Sequence, residues 1–175
     1  MKLYVVRHGE TLANTLKKVS GDKESPLTKV GISQAKELAL EFQDINFDIV
    51  FSSPLLRALD TARLITNKRV YIDERLIERN YGENEGKYIK DTNPKELWNY
   101  NLNTDFADCE TVQEVLERTK SFLEDIKMNH PDATILVVTH SGVARGIYYY
   151  FNKIPKNGDL TEVELANCEY QIYEL

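Results

Sequence analysis

Short apolar runs and amphipathic stretches alternate along the chain. Leu3 to Val6 is a continuous apolar, β-rich run, which predicts a strand buried on both faces that delivers Arg7-His8-Gly9-Glu10 at its C-terminal end. Thr28 suits a helix N-cap, and Ile32, Ala35, Leu38, Ala39 and Phe42 follow at helical spacing. Asp48-Ile49-Val50-Phe51 reads as a second strand. Ser53 then suits an N-cap and Pro54 the first turn of a helix running to about Thr66. Val70 to Ile72 predicts a third short strand.

From 73 to 108 the signals are mixed, with Gly82, Gly86, Pro94 and several aromatics, and the segment reads as a cap or lid carrying a short helix near Lys95 to Asn99. Thr111-Val112-Gln113-Glu114 is a capping box. Behind it Val112, Val115, Leu116, Thr119, Phe122, Leu123 and Ile126 keep one apolar face for four turns. Thr134 to Thr139 predicts another buried strand ending in His140-Ser141-Gly142, where a helix begins. Alternation at Glu162 to Leu165 and at Tyr170 to Tyr173 predicts edge strands in a partly antiparallel extension. The pattern is that of one α/β domain over 1–175, with a mostly parallel sheet.

Length and composition agree. A chain of 175 residues buries roughly 70% of its unfolded surface, enough to fold without disulfides or structural metal. The 22 Lys and Arg against 28 Asp and Glu give a net charge of −6 with no basic arm, which argues against a non-specific hold on nucleic acid. Cys109 and Cys168 form no CxxC pair and no zinc-like spacing. No stretch resembles a signal peptide or a spanning helix. The expectation is a cytoplasmic protein with no membrane partner; nothing in the sequence fixes its oligomeric state.

The chemistry collects at two strand ends. Strand–helix alternation brings the C-terminal edges of parallel strands to one rim, so Arg7 and His8 meet His140 although the histidines are far apart in sequence. Helices starting near Ser53 and Ser141 then aim their N-termini, with free N–H groups and partial positive charge, at the same rim. Arg57 lies in the first turn of one of them. Singly, each feature has a bland reading: a surface Arg-His pair, a solvated arginine, a simple cap. Together, two arginines, two histidines and two helix ends describe a site for a tetrahedral dianion. His130, before Pro131 at the end of a helix, reads as a carbonyl cap and no more.

This joint pattern resembles the histidine phosphatase superfamily, the phosphoglycerate mutase-like fold, over essentially the whole chain. Arg7-His8-Gly9-Glu10-Thr11 with Asn14 looks like its N-terminal signature. Pro26-Leu27-Thr28 with Gly31, Gln34 and Ala35, and Ser52-Ser53-Pro54 with Arg57, Ala58, Thr61 and Ala62, are similar to the next two segments. Leu76-Ile77-Glu78 with Gly82, Glu85 and Gly86 matches the segment holding the family's acid, and Val138-Thr139-His140 with Gly142 and Arg145 the second histidine block. The resemblance implies a three-layer α/β/α sandwich and a phosphohistidine intermediate formed without metal or cofactor. His8 is then the nucleophile and Glu78 the general acid and base, with Arg7, Arg57 and His140 completing the catalytic group. Arg7, Asn14, Arg57, His140 and Ser141 would hold the phosphate of a small phosphomonoester.

The residues support that chemistry. A neutral imidazole attacks phosphorus without a separate base, and nearby Arg7 and Arg57 would depress the pKa of His8. Glu10, beside Arg7 and His8, reads as a group orienting one of them. Tyr81, Tyr88, Trp98, Tyr100 and Phe106 line a substrate-facing lid or form its small core. Ser141 departs from the glycine the family often has after the second histidine. Glu78-Arg79-Asn80-Tyr81-Gly82 leans toward mutases and Glu85-Gly86 toward phosphatases. After Gly86, Lys87, Lys90 and Lys95 occur without paired arginines for a second phosphate, which favours phosphatase over mutase. The other rival, an inactive phosphate-binding module, fits poorly with a complete set of His8, His140, Arg7, Arg57 and Glu78.

Overall fold

The computed structural model describes residues 1–102 and 108–175, so Phe106 lies outside the described residues. Five strands form one sheet in the order β3-β2-β4-β1-β5: β1 (Lys2–Arg7), β2 (Ile49–Ser52), β3 (Val70–Ile72), β4 (Thr134–Thr139) and β5 (Tyr170–Glu174). All pairings are parallel except β1 with β5. The helices are α1 (Leu12–Thr15), α2 (Lys29–Glu41), α3 (Leu56–Ile65), α4 (Pro94–Leu97), α5 (Val112–Asn129) and α6 (Ser141–Phe151).

Successive strand side chains point to opposite faces, and here both faces are covered. Leu3, Val5, Ile135 and Val137 pack with Phe122, Leu123 and Ile126 of α5 and Val143, Ala144 and Ile147 of α6. Tyr4, Val6, Val50, Leu136 and Val138 pack with Leu38 and Phe42 around α2 and with Ala58, Ala62 and Ile65 of α3. That is why these strands are apolar throughout rather than alternating, and it makes the fold three-layered. A third cluster joins Leu97 and Trp98 to Val112, Val115, Tyr149 and Leu160, tying α4 to α5 and α6.

The caps follow the sequence in part. Thr28 and Thr111 cap α2 and α5 as expected, the latter in a full capping box. Ser53 does not cap α3, whose N-cap is Leu55; the backbone N–H of Leu56 instead donates to the Glu24 carboxylate at 3.0 Å. Ile32 faces solvent rather than the core, where Gly31 takes its place in the buried face of α2. Residues 162–165 form no strand, because their carbonyls serve two arginines: Val163 accepts from Arg145 Nε and Leu165 from Arg7 Nη1.

Candidate active site

Register sets the site. The last rung between β1 and β4 pairs Arg7 with Thr139, and β2 pairs Ser52 with Val138, so His8, His140 and Ser53 are the residues that leave three adjacent parallel strands at one rim. The His8 N–H donates to Thr139 O at 2.9 Å and the Ser53 N–H to Val138 O at 3.1 Å. The two imidazole centroids are 5.1 Å apart.

The two rings are fixed in opposite tautomers. A carbonyl only accepts, so the 2.8 Å contact between His8 Nδ1 and Gly9 O puts the proton on Nδ1 and leaves the lone pair on Nε2. His140 is the reverse: Arg57 Nε–H donates to its Nδ1 at 3.2 Å, so Nε2 carries the proton, 2.7 Å from Ser53 Oγ. Burial pulls the pKa of His8 well below the ordinary histidine value. Arg57 lowers it further and Arg7 adds a smaller push, against the Gly9 hydrogen bond. Burial followed by Arg57 does the same to His140. Both rings are held neutral.

Arg57 is 1% exposed, and among the described residues it has no carboxylate within ion-pair distance. Its two terminal nitrogens donate to Gly21 O and Lys23 O, each at 2.7 Å. The loop carrying those carbonyls is itself clamped by Glu85, whose side chain is 2% exposed: it accepts from Asp22 N at 3.4 Å and Tyr81 N at 3.0 Å and pairs with Lys23 at 3.3 Å. Gly21 has φ +58, and a Cβ there would stand 2.0 Å from Glu85 Oε1, so both its conformation and its closeness require glycine. Arg7 donates to Leu165 O and lies 3.5 Å from Glu164, while its Nε is buried without a partner. Such orphaned donors are costly unless a ligand supplies the acceptor.

Glu78 lies across the site. Its Oε1 accepts from Arg79 N at 2.8 Å and its Oε2 from Gly142 N at 3.2 Å. The expectation of free helix ends is therefore corrected: the start of α6 holds Glu78, as the start of α3 holds Glu24, and the positive field of the site comes from arginine side chains. Asn14 Oδ1 accepts from Thr11 N and from Asn167 Nδ2, at 3.0 and 3.2 Å, which leaves its NH2 as the group to offer. Ser141 Oγ is buried without a partner. All the sequence-nominated residues, Arg7, His8, Asn14, Arg57, Glu78, His140 and Ser141, thus gather here. Six of them line a cavity of about 240 Å³, and His140 sits behind it against Arg57 and Ser53.

Glu10 does not orient Arg7 or His8. Its carboxylate accepts from the Thr28 hydroxyl at 2.7 Å, fastening the loop to the start of α2. Of the aromatics, Tyr81 and Trp98 line the cavity, with Trp98 Nε1–H donating to Tyr81 Oη at 3.0 Å; Tyr100 borders a different depression. Sequence reasoning missed Ser53 as a site residue, Asn167 as a brace on His8 O and Asn14, and Arg145. The last had a signal, being the one charge in the otherwise uncharged α6. Among the described residues no group of three or more His, Cys, Asp or Glu is arranged to hold a metal, and no helix is long and apolar enough to cross a membrane.

The comparisons with known proteins agree with this geometry. The model of the histidine phosphatase superfamily (branch 1) matches residues 3–175. The chain belongs to that superfamily. Phosphoserine phosphatase 1 of Hydrogenobacter thermophilus is 31% identical over 157 residues, covering 85% of this chain and 74% of that protein. Among solved structures, Bacillus stearothermophilus YhfR superposes with a TM-score of 0.90 at 28% identity, covering 99% of this chain and 91% of the other. A phosphoserine phosphatase of Entamoeba histolytica, in complex with 3-phosphoglyceric acid, does so with a TM-score of 0.86 at 29% identity, covering 98% and 89%.

Proposed function

We propose that this member of the superfamily is a phosphatase that hydrolyses a small phosphomonoester through a phosphohistidine on His8, with Glu78 as general acid and then base. The observation that carries the reading is the tautomer of His8: a neutral ring with its free lone pair on Nε2, belonging to a residue that lines a cavity with Arg7 and Arg57. Phosphoryl transfer depends mainly on positioning and on charge around the equatorial oxygens. Arg7 and Arg57 supply that charge, and the Asn14 NH2, His140 through its Nε2–H, and Ser141 add neutral donors.

In the first step Nε2 bonds to phosphorus as the bond to the leaving oxygen breaks, and Glu78 gives that oxygen its proton. The imidazolium that forms keeps its Nδ1–H on Gly9 O, so the new positive charge is met by a carbonyl already in place. In the second step water attacks phosphorus, Glu78 takes its proton and the N–P bond breaks. No metal takes part in either step of this reading. Phosphoserine phosphatases and an adenosylcobalamin/alpha-ribazole phosphatase stand among the relatives beside probable phosphoglycerate mutases, and the absence of paired arginines after Gly86 favours hydrolysis over mutase transfer.

The test is phosphate release from a panel of small phosphomonoesters after exhaustive dialysis against EDTA. Turnover that survives dialysis is expected. Loss of turnover restored by Mg²⁺ or Zn²⁺ contradicts the metal-free mechanism, and transfer of phosphate between hydroxyls without release contradicts the phosphatase.

A further inference from the structure

One cation at the cavity is used by none of these steps. Arg145 is 6% exposed and its Nε donates to Val163 O at 2.9 Å, yet among the described residues no carboxylate pairs with its guanidinium. Its plane is held by Trp98, whose ring centre is 4.2 Å away, and the fully buried Arg79 lies 4.8 Å from the same ring. The side chain lines the cavity. A nearly buried guanidinium with free N–H groups, locked by stacking, is a built receptor for a planar bidentate anion.

Its place relative to the chemistry follows from Gly142. A Cβ on that residue would stand 2.2 Å from Glu78 Oε1 and 2.9 Å from Trp98 Cζ2, so the acid and the ring that carries Arg145 abut the same point. Trp98 thus brings Arg145 to the Glu78 side of the cavity, which on the phosphatase reading is the side where the leaving group is protonated.

We infer that Arg145 forms a subsite for a carboxylate on the alcohol half of the substrate, making the substrate class phosphomonoesters of hydroxy acids. The inference rests on the phosphatase reading. Pairing there would neutralise a buried guanidinium that no carboxylate meets among the described residues and hold the ester oxygen against Glu78.

Two pairs of compounds that differ in the carboxylate test it on the native protein: 3-phosphoglycerate against glycerol 3-phosphate, and O-phosphoserine against phosphoethanolamine. A buried charge-assisted hydrogen bond predicts roughly ten- to hundred-fold higher kcat/KM for the carboxylate member of each pair. In Arg145→Gln that ratio should collapse toward one, and Arg145→Lys should keep part of it. Because each ratio is internal to one protein, a folding defect moves both members together. A native ratio near one, a preference that survives Arg145→Gln, or an equal loss on both members overturns the carboxylate subsite while leaving the phosphatase standing. Release from none of the four, nor from p-nitrophenyl phosphate, contradicts the phosphatase reading itself.

Discussion

Arg57 Nε donates to His140 Nδ1 at 3.2 Å, and this one bond decides which nitrogen of His140 carries the proton. With Nδ1 accepting, Nε2–H is the donor available to Ser53 or to a phosphate oxygen, while His8 has the opposite tautomer. Long-range ¹H–¹⁵N spectra of the imidazoles should show His8 protonated at Nδ1 and His140 at Nε2. Arg57→Ala should release the His140 tautomer and cost about 10²- to 10³-fold in kcat, as the loss of a preorganised donor does. Identical tautomers on the two rings would contradict the arrangement.

The same burial makes stability depend on pH. Both histidines have folded-state pKa values well below the ordinary value, first through desolvation and then through Arg57. As pH falls through about 6.5 the unfolded chain takes up protons that the folded chain refuses, so stability is complete above that pH and is lost below it. Each pH unit in that range costs up to about 1.4 kcal/mol per histidine. Urea midpoints should drop between about pH 7.5 and 5.5, above the range where carboxylates titrate. His140→Ala should flatten the slope by its own share, and a midpoint that does not move with pH would show that the rings protonate freely in the folded state.

Gly142 leaves room for the acid. Its missing Cβ is what lets Glu78 reach the Gly142 N–H, since an added methyl would meet the carboxylate at 2.2 Å and Trp98 at 2.9 Å. Gly142→Ala should therefore act as an acid-displacing change. Removing a general acid costs about 10²- to 10⁴-fold, so single-turnover phosphorylation should fall by that order with an alkyl phosphate. It should fall much less with p-nitrophenyl phosphate, whose phenolate leaves with little help. Glu78→Gln should show the same split. Equal losses on both substrates would mean that Glu78 positions the phosphate instead of protonating the leaving group.

Much of this was legible in the sequence because local patterns carried it. Four apolar runs and two capped amphipathic helices specify the sheet and its layers, and parallel register then brings Arg7-His8 beside His140 without further information. Side-chain choices between near-equal partners were not legible. Ser53 has the chemistry of a cap, but His140 and the Leu55 N–H take its hydroxyl while a distant carboxylate, Glu24, caps the helix. Residues 162–165 alternate like a strand, yet two arginines, the buried Arg145 and the partly buried Arg7, compete for their carbonyls and win. The start of α6 has the form of an anion site, and the anion it holds is the protein's own Glu78. Each of these outcomes depends on a contact distant in sequence, which periodicity cannot register.

The central claim is that His8 Nε2 takes the phosphoryl group. Rapid-quench labelling with a ³²P-phosphomonoester identified in the release screen, on Glu78→Gln to slow the hydrolytic step, tests it directly. The account predicts an acid-sensitive, base-stable phosphoenzyme that maps to His8 and is absent from the corresponding His8→Ala protein. Label that persists in that protein, or turnover of the same substrate with no phosphoenzyme and with inversion at a chiral phosphorus, would contradict it.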